Sequence, residues 1–293
     1  MSQFRNRSAS TLIEMVIVIG VIGVIMSLLV SAVQNVRMSA ARVQCTNNLK
    51  QQSLALHSYE SVNHRLPPSR NLTERLLSWQ ATILPYIDHG ALWNESVIAC
   101  QETRLTYKNP PHIGYATVIP AFVCPLDSRL LGTLTTPSGD YAAFTDYLAV
   151  SGSSQPRGFL SGAFGQGGRL ESISDGTSST LMLGERPPPG SLQAGRWYSS
   201  RYVLEPSGGP DNFMGIPQAK ATLSDYQCWD AGSWFGPGRI ENPCDRYHYW
   251  SLHPQGATFS FADGSVRFIR YNAADLMPAL ATRAGGEIVS VPD

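Results

Sequence analysis

From Met15 to Val33 the chain reads MVIVIGVIGVIMSLLVSAV, a run without a charged residue, and a single acid, Glu14, stands immediately before it. A run of this length matches what a helix needs to cross the hydrocarbon core of a bilayer. It is longer than the apolar core of a secretory signal, and no small-residue cleavage site follows it. A carboxylate at the edge of hydrocarbon is costly unless something neutralises it, so Glu14 is a candidate functional residue. Flanking charge gives a mixed orientation signal. Arg5 and Arg7 precede the run, while Arg37, Arg42 and Lys50 follow it.

From Thr11 to Val62 there is no proline and no cluster of turn residues. Val36, Ala40, Val43, Leu49, Leu54 and Leu56 recur among polar residues, a helical pattern that predicts one long helix over 10–62 with its membrane segment at 15–33. Pro67-Pro68 ends the helical region. A shorter amphipathic helix is expected in NLTERLLSWQATILPYI, with Asn71 as its cap. From Thr117 onward, runs such as TVIPAFVC, DYLAVSG, STLMLGE, RWYSSRYVL and ATFSFADGSVRFI alternate with Gly, Ser, Asp and Pro. These read as antiparallel strands. A loop-rich insertion is expected at about 187–245, opened by Pro187-Pro188-Pro189.

In ATFSFADGSVRFI, Asp263-Gly264 is the pair favoured in a two-residue type I′ turn. That turn pairs Phe261 with Val266 and Phe259 with Phe268. It predicts a buried stripe of these four residues and an exposed Asp263-Gly264 tip. NAADLMPALATRAGGEIV reads as a short helix from about Ala273, ended by Gly285-Gly286.

Charged residues make up 15% of the chain, with zero net charge and no basic block, so nothing recommends nucleic acid as a partner. Gly (26) and Pro (20) are abundant, favouring strands and loops over a helical bundle. The five cysteines, Cys45, Cys100, Cys124, Cys228 and Cys244, form no CxxC pair, so spacing gives no zinc signature. No nucleophile elbow, HExxH helix or phosphate loop is present. His253 and Asp263 would suit acid–base work, but Asp263 is accounted for by its turn and His253 precedes Pro254 at a strand entrance. Both read as structural residues of a turn motif together with Gly264, and no catalytic or metal-binding residues are expected.

The leader, followed by Thr11-Leu12-Ile13-Glu14 and the apolar run, resembles the class III signal of type IV prepilins and type II secretion pseudopilins. The resemblance implies a leader at 1–9, cut by a membrane prepilin peptidase between Ala9 and Ser10, and methylation of the new terminus. The family has Gly and Phe where this chain has Ala9 and Ser10. Pilins commonly place a proline at the end of the membrane run, where this chain has Ser31, so less kinking is expected. Further segments, from QCTNNLKQQSLALHSYES through FVCPLD and SISDGTSSTLMLGE to HPQGATFSFADGSVRFI, resemble a large family of prepilin-like bacterial proteins, abundant in planctomycetes. That family carries a domain of unknown function and an H-x9-DG signature, here His253 to Asp263-Gly264.

Together these resemblances imply an α+β protein: a membrane-embedded helix and an antiparallel β-rich extracytoplasmic domain over 63–293. The N-terminus is expected in the cytoplasm, and the chain spans the inner membrane once. The expected role is a pseudopilin-like structural subunit, not an enzyme, with the prepilin peptidase and other pilin-like subunits or itself as partners. Glu14 would pair with the terminal amine of a neighbouring subunit. The rival reading is a tethered binding protein or adhesin that does not polymerise. No cofactor is expected. Calcium, which some major pseudopilins bind, is left open, although the chain has no dense Asp/Asn run. Cys45 with Cys124 is the first disulfide expected, both lying in segments of the resemblance, and Cys228 with Cys244 the second.

Overall fold

A computed structural model describes residues 12–68, 77–103, 105–107, 112–152, 161–164, 168–199, 212–216, 228, 235–287 and 289. The leader, Ala9, Ser10 and Asn71 lie outside these residues, as does much of the insertion expected at 187–245. Helix α1 runs unbroken over Leu12–Asn63. Two compact units divide within it, one ending at Arg42 and the other beginning at Val43.

In the first unit, every described side chain from Leu12 to Ala40 is exposed. The serines within the apolar run bond back to their own helix: Ser27 Oγ donates to the Val24 carbonyl (2.7 Å) and Ser31 Oγ to that of Leu28 (2.9 Å). Each hydroxyl is thus satisfied without water.

In the second unit α1 buries Cys45, Asn48, Leu49, Gln52, Ser53, Ala55 and Leu56. Their spacing follows the three-to-four period that puts residues on one helix face. Among the described residues four shorter helices follow: α2 at Trp79–Thr82, α3 at Gly90–Glu102, α4 at Ile113–Ala116 and α5 at Met277–Leu280. Of the helix expected around 71–87, the described residues from 77 onward form α2 and a 3₁₀ turn at Leu84–Tyr86. Ser78, whose side chain accepts from the Ala81 amide, is the cap of α2.

Strands β1 (Leu134–Thr135) and β2 (Tyr141–Ala142) form a small ladder. The main sheet contains β3 (Tyr147–Val150), β4 (Leu181–Glu185), β5 (Phe213–Met214), β6 (Gly256–Phe261) and β7 (Val266–Arg270), ordered β5-β3-β4-β6-β7. All neighbours are antiparallel except β3 and β5. Edge strand β5 comes from the expected insertion. The architecture is α+β, as the sequence predicts.

Tyr147 and Ala149 pack into one apolar cluster with Leu49 and Leu56 of α1, while Leu148 and Val150 pack into a second with Phe259 and Phe261. Alternation along β3 therefore buries both faces of the sheet, which is why YLAV and LMLGE are buried throughout. TVIPAFVC is not a strand. Pro120–Phe122 forms a 3₁₀ turn, and Cys124 follows it. RWYSSRYVL contributes only isolated bridges among its described residues, at Arg196 and Ser199.

The β6–β7 hairpin forms, but one residue out of the expected register. Ser260 pairs with Val266, Phe259 with Arg267 and Thr258 with Phe268. The Phe261 amide donates to the Ser265 carbonyl and the Gly264 amide to that of Phe261, both at 2.9 Å. Ala262, Asp263 and Gly264 therefore form a three-residue loop closed by Gly264 at φ +78°. Such a loop needs one left-handed residue rather than the two of a type I′ turn. Asp263 keeps negative φ and its carboxylate accepts from the Ser265 amide at 2.8 Å. The slip puts Phe259 and Phe261 in the core but leaves Val266 and Phe268 half-buried. At the tip Asp263 is exposed and Gly264 is buried.

Candidate functional site

The second unit's α1 segment meets the turn at 120–124 through side chains that a purely apolar helix face would lack. Asn48 Nδ2 donates to the Val123 carbonyl at 2.8 Å, and Gln52 Nε2 to that of Ala121 at 2.7 Å. Asn48 also reaches the Tyr147 hydroxyl at 3.3 Å. Carbonyls of this non-strand turn, buried at Val123 and half-buried at Ala121, are thereby satisfied.

Beside these contacts Cys45 and Cys124 form a disulfide with Cα atoms 5.3 Å apart, inside the usual range. A second joins Cys228 and Cys244, with Cα atoms 5.2 Å apart. Cys100 is buried and forms no disulfide.

His253 lies against the first bridge. Its Nε2 lies 3.6 Å from Cys124 Sγ and 3.5 Å from Glu185 Oε1. Glu185 ends β4 opposite Tyr147, on the sheet face turned to α1. Its Oε2 accepts from the Thr258 amide at 2.6 Å, while Oε1 accepts no hydrogen bond from a described residue. The backbone around these groups is fixed by further side chains. Ser251 Oγ accepts from the His253 amide (3.0 Å) and donates to the Gly256 carbonyl (2.7 Å). Asp146 Oδ2 accepts from the Cys124 amide at 2.7 Å.

Cys45, Cys124, Glu185 and His253 are all buried, and their ligand-type atoms lie within 4.8 Å of one another. Burial, above all, and then the nearby Asp127 charge push the Asp146 carboxyl well above the usual range. Burial, followed by the charges of Glu185 and Asp146, raises the Tyr147 phenol. The arrangement does not match a nucleophilic relay. A Cys–His–carboxylate triad uses the two ring nitrogens separately, whereas here Nε2 faces both sulfur and carboxylate.

The site residues expected from sequence are thus divided. His253 joins the disulfide, and Asp263 lies apart from it on an exposed tip. Gly264 packs under α1, where its carbonyl accepts from Lys50 Nζ at 2.6 Å. Glu14 lies in the first turn of α1 in the other unit. Glu185 was not expected, and no spacing signal could have found it: the four residues come from α1, a turn, a strand end and a strand entrance.

Helix α1 is long and apolar enough to cross a membrane. No curated protein and no solved structure matches the chain. A family described as "Protein of unknown function (DUF1559)" matches residues 34–276. That span begins inside α1, takes in the Cys45–Cys124 joint and His253, and closes within the turn before α5, so the chain belongs to the DUF1559 family.

Proposed function

We propose that this chain is a membrane-tethered, pilin-like structural subunit whose N-terminal helix inserts in the cytoplasmic membrane and packs with other subunits. The domain from Val43 onward is carried outside the cytoplasm. The observation that carries this reading is the two-part character of one helix. Its first part is apolar and exposed on every side, and its later part is bonded into an α+β domain. A helix exposed all round has no protein core to face and requires lipid or like helices. The serine back-bonds within it suit either setting. Two disulfides in the second unit accord with an oxidising compartment. A non-enzymatic role is supported by the burial of His253, Glu185 and both sulfurs.

Processing by a prepilin peptidase belongs to the same proposal, on the strength of the leader and the Thr11-Leu12-Ile13-Glu14 sequence. Intact-mass analysis of the membrane fraction, from cells with and without the peptidase, tests it. Ser10 as a methylated first residue, only when the peptidase is present, is the expected result. Retention of Met1 or Ser2 in both strains contradicts processing and leaves an uncleaved anchor.

A further inference from the structure

The geometry points to a zinc site formed by Cys45, Cys124, Glu185 and His253 when the two cysteines are thiols, so that metal and disulfide are alternative closures of the joint between α1 and the sheet. Zinc takes sulfur at about 2.3 Å and nitrogen or oxygen at about 2.0–2.2 Å in a tetrahedron. These lengths set a sulfur–nitrogen edge of about 3.6 Å and a nitrogen–oxygen edge of about 3.4 Å. Cys124 Sγ and His253 Nε2 are 3.6 Å apart, and His253 Nε2 and Glu185 Oε1 are 3.5 Å apart. Two edges of the tetrahedron therefore stand at metal-site lengths with the disulfide in place. The remaining ligand atoms lie within 4.8 Å of one another, and the two sulfurs, held at bonding distance by the bridge, must separate to about 3.8 Å.

A second, independent observation points to a ligand. Glu185 Oε1 is buried and accepts no hydrogen bond from a described residue; it faces the His253 imidazole at 3.5 Å, which offsets the cost of its burial only when the ring is protonated. Its twin Oε2 is held by the Thr258 amide, which aims Oε1 at the imidazole and the sulfurs. Outer contacts of this type orient the ligands of metal sites. The Ser251 and Asp146 contacts fix the His253 and Cys124 backbones in the same way.

The chemistry balances in both directions. In newly made chain Cys45 and Cys124 are two thiols; Zn²⁺ binds them as thiolates and two protons leave. Oxidation forms the S–S bond, passes two electrons to an external protein disulfide, which takes up two protons from solvent to become a dithiol, and releases the zinc. A dithiol reductant reverses the step.

The test uses full-length chain in detergent with Cys228→Ser and Cys244→Ser, so that the second pair supplies no thiolates. Cobalt(II) serves as the spectroscopic probe and zinc as its competitor. After phosphine reduction, one equivalent of cobalt should give the thiolate charge-transfer and intense visible bands of a tetrahedral site, and zinc should abolish them. The same chain with the Cys45–Cys124 bridge intact should give neither. Glu185→Gln and His253→Asn should each weaken binding at least tenfold. A folded, reduced chain without these bands overturns the proposal, as does undiminished binding in both variants. If reduction unfolds the chain, zinc must restore its far-ultraviolet dichroism, and failure to do so also overturns it.

Discussion

Lys50 Nζ donates to the Gly264 carbonyl at 2.6 Å, binding the loop of the β6–β7 hairpin to α1. His253, at the other end of the H-x9-DG segment, touches the sulfur through which Cys124 is bridged to Cys45 on the same helix. The two ends of the signature thus secure α1 to the sheet at two places. The histidine makes its contact through its side chain, while the glycine is required by the left-handed φ of +78° that brings its carbonyl to Lys50.

Gly264→Val should lower stability by at least about 1–2 kcal/mol, the ordinary cost of a left-handed backbone for a residue with a Cβ. Gly264 holds φ +78°, and a Cβ there would lie 3.3 Å from His57 Nε2. Urea unfolding checks this. Lys50→Met should cost less, because its hydrogen bond is only partly buried. An unchanged midpoint in Gly264→Val would contradict the three-residue loop.

Replacing Cys45 and Cys124 together with alanine removes a cross-link spanning 79 residues. In the chain-entropy account this costs about 4–5 kcal/mol. The corresponding loss for Cys228 and Cys244, separated by 16 residues, is about 3 kcal/mol. Denaturant midpoints of the two double variants should fall in that order.

Acid and base should act on two buried groups with opposite sign. Asp146 has a raised pKa in the folded chain, so above about pH 4, where an ordinary aspartate ionises, the native state keeps a proton the unfolded chain has lost. Its contribution to stability is present below that pH and declines as pH rises toward the folded value. Asp146→Asn should flatten this decline.

His112 is displaced downward, chiefly by burial. Its Nε2 donates to the Thr103 carbonyl and its Nδ1 accepts from the Tyr198 hydroxyl, each at 3.0 Å. The neutral ring suits both contacts. Its stabilisation is present above about pH 6.5 and is lost as pH falls toward the folded value. His112→Gln should diminish that loss in unfolding measured from neutral to mildly acidic pH.

Much of this architecture was legible in sequence because its signals are local. The apolar run, the unbroken helix and strands β3, β4, β6 and β7 follow from runs of adjacent residues. The hairpin register was misread because Asp263-Gly264 suits both a two-residue and a three-residue loop, and contact of the loop with Lys50 is a tertiary matter. Helix α3 escaped notice because only Ser96 and Cys100 are buried along it, giving little apolar periodicity. The cluster around His253 was beyond sequence patterns, since Glu185 closes a strand that otherwise reads as core.

The most direct test of the assembly claim is crosslinking in intact cells of wild-type chain and of Glu14→Ala. After processing, Ser10 would present its amine at the membrane edge with Glu14 one helical turn further on. Pairing Glu14 with a neighbour's amine would neutralise a charge that insertion scales place at roughly 2.5–3.5 kcal/mol near a helix centre. Both proteins should fractionate with the membrane. The wild type should give a ladder of multimers and Glu14→Ala should lose it. An equal ladder from Glu14→Ala would contradict the role of Glu14, and absence of multimers from the wild type would contradict assembly and leave a tethered, non-polymerising protein.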